Sequence, residues 1–283
     1  MKDELLSKVI IRVAEPRDTQ QVFAFLEDVW EGGDYVPSVW DKWLADPNGR
    51  LVVAALDGQP IGIGRIVDLG WGEYWLEGLR VAKPFRGKGV AGLIQGQLLS
   101  VWVSSDSRSI GYLTHRDQEA VHSLARHENF DEIFRVQMVR WGPEEGRHNF
   151  IPCEDLAWAA DRLGGWASEH ALDGRMELEW AYPQIRPERL EGSKHLYKWK
   201  ERAVVLLNTD DWEDARTAVL SAVCVDEGDL TDFFVDLGRL CSMLELDGGR
   251  WFAPAGLMSL VEENGSNIRL EDDLEMVCYL KQR

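Results

Sequence analysis

The chain has 283 residues, 45% of them hydrophobic and 13 of them tryptophan, which is enough for one large domain or two of ordinary size. A formal net charge of −18 opposes nonspecific association with nucleic acid or anionic membranes. No apolar run approaches the roughly 20 residues that span a bilayer, and Met1-Lys2-Asp3-Glu4 lacks the basic-then-apolar form of a secretion signal, so a cytoplasmic protein is expected.

Residues 8–14 (KVIIRVA) predict a short strand, broken by Glu15-Pro16. Asp18 with Gln21 three residues on reads as a capping box, and Val22, Phe23, Leu26, Val29 and Trp30 then share one helical face. The stretch 38–45 (SVWDKWLA) can supply a second helix. Residues 51–56 and 60–67 read as strands joined at Asp57-Gly58, a hairpin signal. Strands are expected over 74–81, 109–113 and 132–141, with helices over 90–103 and from a cap at Asp117 through Ala120, Val121 and Leu124.

The first half contains one dense motif, WLEGLRVAKPFRGKGVAGLIQ, from Trp75 to Gln95. It reads as strand, short loop, helix. Arg80, Lys83, Arg86 and Lys88 gather four cations within nine residues of an acidic chain. Gly87 and Gly89 remove side chains where the helix begins, and a helix N-terminus offers unpaired N–H groups to an anion. A phosphorylated ligand is the simplest occupant of such a loop. Glu77 is a charged residue in an otherwise apolar strand, a costly position unless it is paired or near water. It is therefore a candidate general base, with pairing to Arg80, Arg116 or another cation as the alternative. Glu73, Glu31 and His115 are weaker candidates. Cys153, Cys224, Cys241 and Cys278 form no C-x-x-C, and the six histidines have no ligand spacing, so buried thiols and no metal are expected.

Arg86, Gly89 and Ala91 fit R-x-x-G-x-A after a strand, and the segment resembles motif A of the GNAT (GCN5-related N-acetyltransferase) superfamily. The resemblance covers residues 8–141. It implies an α/β (α+β) GNAT fold, a mixed, mainly antiparallel sheet flanked by helices. Two neighbouring parallel strands, here 74–81 and 109–113, splay to admit a pantetheine arm. It further implies acetyl-CoA as cofactor, with CoA as product. The cofactor residues would be Leu79, Arg80, Val81, Arg86, Gly87, Lys88, Gly89, Val90, Ala91 and Arg116, with oxyanion donors on the Leu79 and Val81 backbone and a kink at Gly78. The implied reaction is direct attack by a primary amine in a ternary complex. Asp34-Tyr35-Val36-Pro37, Leu76–Ala82 and Leu113–Asp117 resemble the histidine N-acetyltransferase-like branch, which implies a small amine such as histidine contacted by Asp34, Tyr35 and Glu77. The family's usual tyrosine acid falls at Ala125, a departure that keeps open an acyl-CoA sensor with little turnover. A protein N-acetyltransferase is a third reading.

Mixed charge and Pro152 after Gly146 predict a boundary, giving an acetyltransferase domain at 1–145 and a second domain at 150–283. In the latter, 202–207 and 217–225 read as strands, 229–246 as a helix, 249–252 as a strand, 256–263 as a short helix and 274–280 as a strand. This order repeats part of the first half and suggests a degenerate GNAT-like unit. Its loop, Asp226-Glu227-Gly228-Asp229, carries three acids that would repel a diphosphate. This half is expected to complete a cleft, pack on the first domain or form a homodimer.

Overall fold

Apolar residues at helical and strand spacing form the expected elements. The computed structural model describes the chain except for residues 1, 28, 30–32, 213–214 and 260–267. Trp30, Glu31 and residues 260–263 of the expected short helix lie outside the described residues.

In chain order the elements are α1 (Lys2–Leu6), β1 (Val9–Val13), α2 (Thr19–Leu26), α3 (Val36–Ala45), β2 (Gly49–Leu56), β3 (Gln59–Gly70), β4 (Glu73–Val81), α4 (Val90–Val103), β5 (Ser109–His115) and α5 (Glu119–His127). They continue with β6 (Asp131–Trp141), β7 (Phe150–Pro152), α6 (Leu156–Glu169), α7 (Pro187–Leu190), β8 (Leu196–Trp199), β9 (Ala203–Trp212), β10 (Ala215–Cys224), α8 (Leu230–Met243), β11 (Gly248–Pro254) and β12 (Ile268–Gln282). The chain divides into two compact units, Met1–Tyr112 with Arg126–Phe130 and Leu280–Arg283, and Leu113–Ala125 with Asp131–Tyr279.

In the first unit the strand order is β1-β2-β3-β4-β5. β1 to β4 pair antiparallel, whereas β4 and β5 run parallel. α2 and α3 lay one face on β2 and β3 through Val22, Leu26, Val36, Trp40 and Trp43. Trp40 is fully buried, and its indole N–H donates to Thr19 Oγ1 at 2.9 Å, so no polar atom is stranded there. α4 buries Val90, Ile94, Leu98 and Trp102. It lies close on β3 because a Cβ at Gly62 or Gly64 would come within 2.9 or 2.6 Å of Ile94.

One expected cap is different. Asp18 makes no side-chain bond to the start of α2. Its carboxylate is held by Arg12 at 2.6 and 2.7 Å and accepts from Glu15 N–H at 2.8 Å. The buried carboxylate finds a stronger, charged partner one strand away than any amide of its own helix offers. Burial alone would raise the Asp18 carboxyl, but the contacts with Arg12 and Glu15 N–H together outweigh it and hold the group below its usual range.

In the second unit the order is β12-β6-β11-β10-β9-β8-β7. β6, expected as the last strand of the first half, pairs antiparallel with β11 instead, from Gly249↔Trp141 to Pro254↔Val136. β10 and β11 are parallel, as β4 and β5 are. α8 buries Phe233, Phe234, Leu237 and Leu240. The four cysteines are free and buried, and burial pushes the Cys241 thiol up to about 11. Among the described residues no helix is long and apolar enough to cross a membrane.

Candidate active site

β4 is where the first unit departs from regular pairing. Its parallel ladder with β5 comprises Glu73↔Ser109, Tyr74↔Ile110 and Trp75↔Gly111, yet β4 runs six residues further, to Val81. Along its other edge, Ile63↔Arg80 and Arg65↔Glu77 leave Gly78 and Leu79 together opposite Gly64, a β-bulge on β4. Gly78 has φ +66°, and a Cβ there would sit 2.6 Å from the Trp43 ring. Both facts require glycine. Beyond the bulge, Ala82 N–H donates to Ile61 O of β3 at 2.9 Å, while Arg86 Nε donates to Val81 O at 3.0 Å. Successive backbone groups point to opposite edges of a strand. Val81 therefore turns its polar groups away from β3, towards the loop that follows.

That loop passes through a single 3-10 turn, Lys83–Phe85, and reaches α4 by two left-handed glycines, Gly87 at φ +70° and Gly89 at φ +93°. Gly89 is the N-cap, and its carbonyl accepts the first helical bond, from Leu93 N–H at 3.3 Å. The amides of the preceding turn have no intrahelical acceptor by construction. A Cβ at Gly87 would meet nothing within 4 Å, so open space lies before the helix end. Lys83, Arg86 and Lys88 are exposed around it. Free amides at a positive helix end, open space before Gly87 and three exposed cations in one short loop are the elements of an anion site.

Arg80 stands apart from those cations. Its Nε donates to Asp34 Oδ2 at 2.7 Å and its Nη2 to Oδ1 at 3.3 Å, and the Asp34 side chain is only 1% exposed. Asp34 Oδ1 also accepts from Val36 N–H at 3.1 Å, and the Arg80 guanidinium lies 5.3 Å from the Tyr35 ring centre. The expected substrate contact Asp34 is thus brought to the expected phosphate contact Arg80. Together they tie the start of α3 to the end of β4. Burial pushes the Tyr35 hydroxyl upward, against the opposing pull of Arg80.

Glu77 has a partner that the sequence reading did not name. Arg65, directly opposite it on β3, donates from Nη1 to Glu77 Oε1 and from Nη2 to Asp46 Oδ2. Arg65 is 5% exposed and lies 5.2 Å from the Trp43 ring centre. Gly49 on β2 leaves the space that the guanidinium crosses, since a Cβ there would come within 2.5 Å of it. Burying one guanidinium between two carboxylates leaves the cluster net negative and holds the Glu77 carboxylate in a fixed direction. The signal that singled out Glu77, a charge inside an apolar strand, applies equally to Arg65 in PIGIGRIV. Glu73 is buried at the start of β4.

The remaining expected residues fall elsewhere. His115 and Arg116 belong to the second unit, where Arg116 Nη1 donates to Glu275 at 3.0 Å and Asp117 N–H donates to His115 Nδ1 at 3.2 Å. Ala125 is fully buried in α5 and has no proton to offer. The α5 ladder starts from Gln118, whose carbonyl accepts from His122 N–H at 3.0 Å.

Comparison with known proteins bears on this arrangement. Residues 18–129 match the acetyltransferase (GNAT) family model. The chain carries a GNAT-family domain. The chain is similar over 84 residues to the human protein named "Probable N-acetyltransferase 16", at 43% identity, covering 29% of this chain and 23% of that protein. Histidine N-acetyltransferase of Oreochromis niloticus is 39% identical over 83 residues, covering 29% of this chain and 25% of that one. The chain spans about a quarter of the length of these curated relatives. In structure, a GCN5-related N-acetyltransferase from Sphaerobacter thermophilus covers 97% of this chain and 96% of its own, with a TM-score of 0.62 at 12% identity. That likeness extends the GNAT fold to the second unit as well.

Proposed function

We propose that this chain is an acetyl-CoA-dependent N-acetyltransferase whose acceptor is the primary amine of a small molecule, an amino acid such as histidine. The observation that carries this reading is the loop from Val81 to Ala91, with two left-handed glycines and three exposed cations at the start of α4. The loop fits a CoA diphosphate: open space faces Gly87, and an acidic protein presents local positive charge there. The histidine N-acetyltransferases among the relatives support the acceptor class. The sequence domains at 1–145 and 150–283 belong to this proposal, the second as a unit without cofactor.

In this reading the Gly87–Ala91 backbone holds the diphosphate, with Val90 and Ala91 donating from the helix end. Lys83, Arg86 and Lys88 neutralise it, and Arg86 is kept in place through Val81 O. Leu79 and Val81 supply N–H donors along the bulged edge, already oriented before charge develops. Bound acetyl-CoA would supply the activated acyl group. Glu77 takes the proton from the substrate ammonium, and Arg65 with Asp46 fixes its direction. Tyr35 and Trp43, edge to face at 6.0 Å, wall the acceptor side. The Asp34–Arg80 pair holds that wall against β4.

A second reading, an acyl-CoA sensor, draws on Ala125, which replaces the usual acid with a buried methyl. Release of free CoA on adding histidine and other amines separates the two. Glu77→Gln is expected to lower turnover by about 100-fold or more with cofactor affinity unchanged. A wild-type protein that binds acetyl-CoA but turns over no amine supports the sensor. Normal turnover in Glu77→Gln removes Glu77 as base.

A further inference from the structure

The second unit contains the counterpart of the β4–β5 divergence. β10 and β11 pair in parallel only from Thr217↔Gly248 to Val219↔Arg250. Ser221, two residues past Val219, is the extra residue of a bulge on β10. Two strands that part in this way leave backbone groups that must find partners. Here the partner comes from the same unit.

Residues 175–184 form a small hairpin. Met176 N–H donates to Pro183 O at 3.1 Å, and Leu178 and Ala181 exchange bonds at 2.8 and 2.9 Å. Glu179 and Trp180 make the turn at φ +49° and +69°, the left-handed pair of a tight hairpin. Glu177 N–H donates to Ser221 O at 2.9 Å, a strand-like bond to the β10 bulge. On the β11 side, the Glu177 carboxylate receives both Arg250 Nη atoms at 3.4 Å. Trp180 meets Phe252 edge to face at 5.1 Å and underlies the Arg250 guanidinium at 5.0 Å. Glu177 and Arg250 are 3% and 6% exposed. One hairpin therefore bonds to β10 by its backbone and to β11 by its side chains, at and just past the last registered pair between them.

We propose that hairpin 175–184 is a built-in occupant of the β10–β11 gap. It stands in the second unit where, on the reading given above, the first unit receives the pantetheine arm. The chain then holds one CoA, and the second unit is closed by its own backbone independently of the acidic loop at 226–229.

Hydrogen exchange read by mass spectrometry on the full chain tests this, with and without saturating acetyl-CoA. Without ligand, peptides spanning 174–185 are expected to exchange about 100-fold or more slowly than open chain, alongside β9 and β10. With acetyl-CoA, slowing is expected across 79–91 and no change across 174–185. Exchange of 174–185 at open-chain rates would overturn the proposal, as would a ligand-induced change there. A chain that fails to bind acetyl-CoA defeats the functional reading but not the hairpin, which the ligand-free measurement decides.

Discussion

β4 and β10 each begin with a three-pair parallel ladder, to β5 and β11 respectively, and each carries a one-residue bulge soon after. Each leads through a 3-10 turn into a 14-residue helix, α4 or α8. They part at the turn. In the first unit Arg86-Gly87-Lys88-Gly89 enters α4 through a left-handed N-cap. In the second, Asp226-Glu227-Gly228-Asp229 enters α8 with Asp229 at φ −100°. Lys200 pairs with Asp229 and Asp232 at 3.5 and 2.8 Å, and Arg202 with Asp226 at 3.9 Å. One loop carries exposed charge of a single sign, whereas the acids of the other pair with cations of its own unit. A shared backbone plan does not set the chemistry; four loop residues and what fills the neighbouring gap do.

The comparison breaks most visibly where the second unit depends on its own buried polar centre. Asp236 accepts from Trp199 Nε1 at 2.8 Å, from Asn149 Nδ2 at 2.7 Å and from Arg239 Nη1 at 2.8 Å. Asp236→Ala strands those donors and is expected to cost roughly 2–3 kcal/mol, read from denaturant unfolding, with acetyl-CoA affinity retained under native conditions. Burial would raise the Asp236 carboxyl, but its hydrogen bonds outweigh that and hold it below the usual range. Asp18 behaves likewise in the first unit. A depressed folded pKa contributes stability that is present above the unfolded value, about 4, and lost as pH falls through the folded one. Melting temperature should therefore drop on acidification below about pH 4, and less steeply in Asp18→Asn and Asp236→Asn.

Smaller changes sharpen the loop comparison. Gly89→Ala forces a β-carbon into the left-handed region at a cost of about 1–2 kcal/mol, so acetyl-CoA affinity by calorimetry should fall about tenfold. Arg86→Ala removes one exposed cation and its bond to Val81 O. A loss of about three- to fivefold is expected, shrinking at high salt. Asp226→Lys with Glu227→Lys makes the second loop basic, yet should create no second CoA site, because the hairpin still fills the gap. A second equivalent of bound CoA in that variant would show that loop charge alone separates the units.

Much of the first unit is readable in the sequence. The turn at Asp57-Gly58, the helix over 90–103 and the glycine loop follow from local patterns, because local backbone geometry decides them. Partnerships across strands are a different matter. Arg65 with Glu77, and Arg80 with Asp34, depend on which strands meet and in what register. From sequence, Arg80 therefore reads only as one of four clustered cations, and nothing marks Arg65 as the partner of Glu77. α6 is hard to read in the sequence because Gly164-Gly165 interrupts its helical pattern, although Asp155 caps it by accepting from Trp158 N–H at 3.0 Å. The hairpin at 175–184 has no turn glycine or asparagine to announce it, and β-branched residues are missing from MELEWAYPQ. Its contacts with β10 and β11 add to its own few cross-strand bonds.

Titration of the full chain with acetyl-CoA, beside a Gly89→Glu variant, tests the central claim most directly. Saturable binding at one equivalent per chain, lost in the variant, is the predicted result. Equal affinity in Gly89→Glu, or no binding by the wild-type protein, would contradict the assignment of the β4–α4 loop as the cofactor site.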